Sequence, residues 1–204
     1  MIAYVESNFV LELALLQGLH ASCEAILRLC EEGSAQLVMP AFCLIEPYET
    51  LGRRQAQRKE VKRAVEREFV QLARTSSYTE RLSDFGDLTS ILIDSAHEEM
   101  TRLDAVSSRL LQVADVLAMD TTILAAAARH RTASALSPQD AVVYASILSH
   151  LESSSSPPAS CFLNADRRDF DDPDIVEKLA SRQCKLIPRF DHGHQYLLHS
   201  RSSS

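Results

Sequence analysis

The chain has 204 residues, 46% hydrophobic and 24% charged, with a net charge of −7. That is the size and balance of one soluble domain with room for a substantial core, and no run approaches the ~18 uninterrupted apolar residues of a membrane helix. The opening Met1-Ile2-Ala3-Tyr4-Val5-Glu6 lacks the basic stretch and cleavage site of a secretion signal, so a cytoplasmic protein without a membrane partner is expected.

Ile2–Val5 reads as a strand that starts at once. Dense apolar positions over Asn8–Gln17 predict a buried helix ending at Gly18. A second helix is predicted over Ser22–Glu32, where Ala25, Ile26, Leu29 and Cys30 share one face and Gly33 supplies a stop. Gln36–Met39 is the second strand, leading into Pro40. From Ala41 to Arg74 the pattern is helical, and another long helix is predicted over Thr79–Leu111, interrupted near Gly86. Val113–Asp120 has no clear period, whereas Thr121–His130 is Ala-rich and helical. Ser137-Pro138 opens a helix running to Glu152. Ser153–Ser160 (SSSSPPAS) reads as a flexible connection. Cys161–Asn164 is a strand, Pro173–Arg182 a helix, Cys184–Ile187 a last strand, and 195–204 a flexible tail.

Short strands separated by helices imply crossover connections, hence a small parallel sheet covered by helices on both faces. The fold class is α/β. In such sheets ligands bind at the carboxyl ends of the strands, and four chain segments bring an acid there. Glu6 follows the first strand, with Ser7 and Asn8 available as caps for the next helix; on its own, Glu6 also suits the helix dipole. Glu46 lies two turns into the helix after the second strand, in an otherwise apolar stretch, where an unpartnered burial would be costly; exposure is the plain alternative. Asp140 stands three residues after Ser137, which capping alone accounts for, although the helix behind it is apolar nearly all round. Asp166 follows the third strand, and Asp169, Asp171, Asp172 and Asp174 crowd the same loop. Asp172, before Pro173, is the natural N-cap there.

Oxygen donors without Cys or His suit Mg²⁺ or Mn²⁺. Five cysteines without CxxC spacing fit reduced thiols, and the lone His192/His194 pair does not make a zinc site. Residues 53–74 carry eight basic side chains against three glutamates, a local +5 that leaves −12 for the rest. Such a stripe suits either phosphate contact or a solvated helix face.

Three stretches resemble the PIN-domain family, to which the ribonuclease toxins of toxin–antitoxin pairs belong. They are Tyr4-Val5-Glu6-Ser7-Asn8 with its apolar helix, Ser137-Pro138-Gln139-Asp140-Ala141, and Phe162-Leu163-Asn164-Ala165-Asp166-Arg167-Arg168-Asp169-Phe170. The resemblance covers roughly residues 1–50 and 135–190. It implies an α/β/α sandwich over 1–190, with residues 53–135 as a mainly helical elaboration. It also implies a Mg²⁺ or Mn²⁺ site formed by Glu6, Glu46, Asp140 and Asp166, with Asp169 as an auxiliary acid, and metal-dependent cleavage of RNA. A cognate antitoxin and a homodimer are the partners it suggests, and Arg58, Lys62 and Arg63 would contact RNA. Two positions depart from the family pattern: Glu6 stands where Asp is usual, and Asn164 where a hydroxyl residue is common. The longer Glu6 side chain favours a second reading, a catalytically weak RNA- or protein-binding module. A phosphatase or receiver domain fits less well, because no Asp stands after the first strand to take a phosphoryl group and no DxD motif follows it.

Overall fold

The computed structural model describes residues 1–78, 86–153, 159–165 and 170–201. Among them, strands β1 (Ile2–Val5), β2 (Gln36–Pro40), β3 (Asp115–Leu117), β4 (Ser160–Leu163) and β5 (Cys184–Ile187) form one sheet. Its order is β3-β2-β1-β4-β5 and every pairing is parallel. The described helices are α1 (Ser7–Leu15), α2 (His20–Glu31), α3 (Phe42–Leu72), α4 (Gly86–Val113), α5 (Thr121–Ser134), α6 (Pro138–Ser153), α7 (Pro173–Ser181) and α8 (Phe190–Arg201).

The central strands are apolar throughout because helices cover both faces of the sheet: β1 and β4 are buried along their whole length. Right-handed crossovers put the connections running from β1 toward β3 on one face, and those running back toward β5 on the other. Accordingly α1 packs on α2, α3 and α4, while α5 packs on α6. His130 of α5 meets Tyr144 of α6 edge-on, ring centroids 4.8 Å apart. The α/β/α reading therefore holds.

Several local outcomes differ from the sequence pattern. The segment without a clear period contains β3, three partly exposed residues at the sheet edge, too short to display alternation. Since β3 belongs to the sheet and α4 packs on α1, residues 53–135 are built into the domain as well as extending it. α1 ends earlier than Gly18, at Leu16, which adopts the left-handed conformation itself (φ 53°). The tail expected to be flexible from residue 195 is helical as far as Arg201, within α8, where Leu197 is buried. Phe190 of α8 packs edge-on against Phe9 of α1 at 5.5 Å. Gly193 sits inside α8 because a Cβ there would come within 2.6 Å of Leu163 Cδ2, so the helix lies directly on β4. Most of the Ser/Pro connection (154–158) and the predicted helical stretch 79–85 lie outside the described residues. All five cysteines are free and buried, and no single helix among the described residues is long and apolar enough to cross a membrane.

Candidate metal centre

The direction of strand addition reverses between β1 and β4, and ligands of such sheets bind at the carboxyl ends of the strands at this switch point. Glu6 stands there, immediately after β1. Its backbone is extended (φ −119°, ψ −175°) and it caps α1 itself, with Oε2 accepting the Asn8 backbone N–H at 3.0 Å. Ser7 and Asn8, the residues expected to cap, do not fill that role. Glu6 is 7% exposed, and its other oxygen, Oε1, has no hydrogen-bond partner among the described residues. Burial pushes its carboxyl up to about 7; Asn8 and the Ala165 backbone amide pull the other way, and the charge of Glu46 adds to the rise.

Glu46 reaches the same place from α3. Ser7 Oγ donates to Glu46 Oε2, tying the start of α1 to the start of α3. Pro47 is buried inside α3 and has no amide, so the backbone bond that would close on the Cys43 carbonyl is missing beside the site. Cys43 is fully buried. Burial pushes its thiol far above the ordinary range, the charge of Glu6 adds to this, and Ser7 is its hydrogen-bond neighbour. It is a neutral packing group under two acids. No local pattern marks Ser7 as the residue joining Glu6's helix to Glu46, because the contact spans 39 positions.

Asp140 lies in the first turn of α6, whose connection into β4 starts that helix at the carboxyl edge. The capping arrangement expected there is present: the Asp140 amide donates to Ser137 Oγ at 3.1 Å, and the Ser137 hydroxyl donates to Asp140 Oδ2. Asp172 caps α7 through the Asp174 amide at 2.8 Å, also as expected. Asp166 and Asp169 lie outside the described residues. The described part of the acidic set is thus a coupled pair, Glu6 with Glu46, and a separately held Asp140. Among the described residues no group of three or more His, Cys, Asp or Glu side chains is arranged to hold a metal ion. The donor chemistry nonetheless fits a hard divalent cation. A buried carboxylate oxygen without a partner, next to a second carboxylate, is costly alone and satisfied by a cation.

The basic side chains are placed differently from expectation. Arg58 forms a forked pair with Glu99 of α4 (Nη1–Oε2 2.7 Å, Nη2–Oε1 2.9 Å) and also reaches Ser95. Lys62 pairs with Glu66 at 3.7 Å. Of the three residues expected to contact RNA, Arg63 alone is both exposed and without an ion pair among the described residues.

A five-stranded parallel sheet with carboxylates at its switch point defines a class, the α/β domains that work at a strand edge. Within that class the match is specific: a PIN-domain family model covers residues 4–170, and the chain belongs to the PIN-domain family. No curated protein and no solved structure matches it. PIN domains are in general nucleases that typically use divalent metals and bind nucleic acid.

Proposed function

We propose that this PIN domain is a divalent-metal-dependent endoribonuclease. The observation that carries the reading is the buried Oε1 of Glu6, without a hydrogen-bond partner among the described residues and within reach of the charge of Glu46, at the switch point of the sheet. Glu6, Glu46, Asp140 and Asp166 would hold Mg²⁺ or Mn²⁺, with Asp169 as an auxiliary acid. Such an ion, when bound, activates a water and stabilises the leaving oxygen of a phosphodiester.

The chain's own residues prepare that site. Ser7 fixes one oxygen of Glu46 by its hydroxyl. Ser137 holds Asp140 at the tip of α6 in the same manner. Burial raises the Glu6 carboxyl to about 7, so near neutral pH it still holds part of its proton, which a bound cation would displace. The five reduced thiols support a cytoplasmic location, and the role of toxin, with a cognate antitoxin and a homodimeric state, belongs to the same reading.

One observation favours a second reading, a catalytically weak RNA- or protein-binding module: Glu6 turns one oxygen back to cap its own helix. Cleavage of a mixed RNA panel with Mg²⁺ or Mn²⁺, comparing the wild-type protein with Asp140→Asn, separates the two. Metal-dependent cutting that the substitution removes supports the nuclease. No cutting with either metal by folded protein supports the binding module.

A further inference from the structure

α3 is far longer than the site needs. Its 31 residues span about 46 Å at 1.5 Å per residue, yet its buried positions are Cys43, Pro47 and Leu51, all in the first third. Beyond Leu51 one side packs on α4, with Arg58 bonded to Glu99, and Lys62, Val65 and Phe69 on that side are partly covered. The opposite side is open.

Glu46 begins a row on that helix. Steps of seven residues return to nearly the same line, drifting by about 20° each time, and the row reads Glu46, Arg53, Glu60, Arg67, with Arg74 in the turn just past the helix end. Arg63 stands beside it, one turn before Arg67. Arg63, Arg67 and Arg74, with Glu66, Val70 and Gln71, line a cleft of about 420 Å³. The three arginines are exposed and form no ion pair among the described residues, whereas Glu66 is engaged by Lys62. Counted from Glu46, Arg63 and Arg67 leave the helix about 26 to 32 Å along its axis, and Arg74 follows just past its end.

We infer that the outer side of α3 is a track for the phosphate backbone of RNA, with Arg63, Arg67 and Arg74 gripping the strand well away from the cut. This rests on the ribonuclease reading and adds a substrate class to it: strands on the order of ten nucleotides or longer, recognised through phosphates and not bases. The charge logic is direct. The body of the protein is acidic and repels RNA, and the exposed guanidinium groups along this side supply the compensating attraction. Glu60, in the same row, sets a gap between the acid site and the distal grip.

The test uses full-length Asp140→Asn protein, so that RNA stays intact, and measures fluorescence anisotropy of labelled single strands of about 24 and about 6 nucleotides. Adding Arg63→Glu, Arg67→Glu and Arg74→Glu is expected to weaken binding of the long strand by about tenfold or more. It is also expected to reduce the slope of log affinity against log salt by about 2. The short strand should be indifferent to the change. A milder Arg→Gln triple variant, checked by circular dichroism, guards against misfolding and should show a smaller loss in the same direction. Long-strand affinity and salt slope unchanged in both folded variants would overturn the inference. Failure of the nuclease reading is seen separately, as wild-type protein that binds the long strand but does not cut it with either metal.

Discussion

The hydroxyl of Ser7 donates to the carboxylate of Glu46, joining the first residue of α1 to α3 across 39 positions of sequence. This bond commits one oxygen of Glu46, whose charge acts on Glu6, and Glu6 Oε1 is buried without a hydrogen-bond partner among the described residues. Ser7→Ala is expected to destabilise the metal-free protein by about 1 kcal/mol in urea unfolding. It should also weaken Mn²⁺ binding by about tenfold, as loss of a group that orients a ligand commonly does. Unchanged Mn²⁺ affinity would remove Ser7 from that role.

Glu6 sets a pH dependence for metal-free protein. Its folded value is about 7 against an ordinary 4.5, so the native state holds a proton that the unfolded chain has already released. Stability is therefore greatest below pH 4.5 as far as this group is concerned. It falls as pH rises toward 7, by on the order of 3 kcal/mol in all. In EDTA, Glu6→Gln should flatten this part of the profile and raise stability at pH 8. A profile of unaltered slope in the variant would show that the carboxyl titrates normally.

Gly193 is predicted to be irreplaceable for steric reasons. Alanine is the better helix former by about 1 kcal/mol, but its Cβ would lie 2.6 Å from Leu163 Cδ2, and overpacking of a buried contact costs about 1–3 kcal/mol. Gly193→Ala should lower the melting temperature, and adding Leu163→Ala should remove the clash, leaving a double variant less destabilised than the two single losses combined. Additive losses would exclude the contact.

Arg58 is expected to matter for stability and not for RNA. The pair with Glu99 is forked and partly shielded, with side chains 26% and 14% exposed. Arg58→Ala should cost about 1–2 kcal/mol, and the exchange Arg58→Glu with Glu99→Arg should restore part of the loss. Equal stability of wild type and Arg58→Ala by urea unfolding would contradict this.

These cases show what the sequence could carry. β1 and β5 coincide with their apolar runs, and Asp172 and Ser137 announced their caps, because each signal is local. Glu6 was legible as an acid at a strand edge, since its place depends only on β1 preceding it. Its capping of its own helix, the Ser7–Glu46 bond and the engagement of Arg58 by Glu99 depend on distant elements meeting, so no local pattern contains them. α8 was hidden because Gly193 and the histidines around it look like a loop until Leu163 supplies the reason for a small residue. β3 was hidden by its length.

The most direct test of the central claim is the Mn²⁺-dependent cleavage rate of a labelled RNA by wild-type protein and by Glu6→Gln, both verified as folded. The metal-site account predicts that the wild type cuts and that the variant is slower by about 10² or more, equivalent to about 3 kcal/mol of transition-state stabilisation. Equal rates for the two proteins would contradict it.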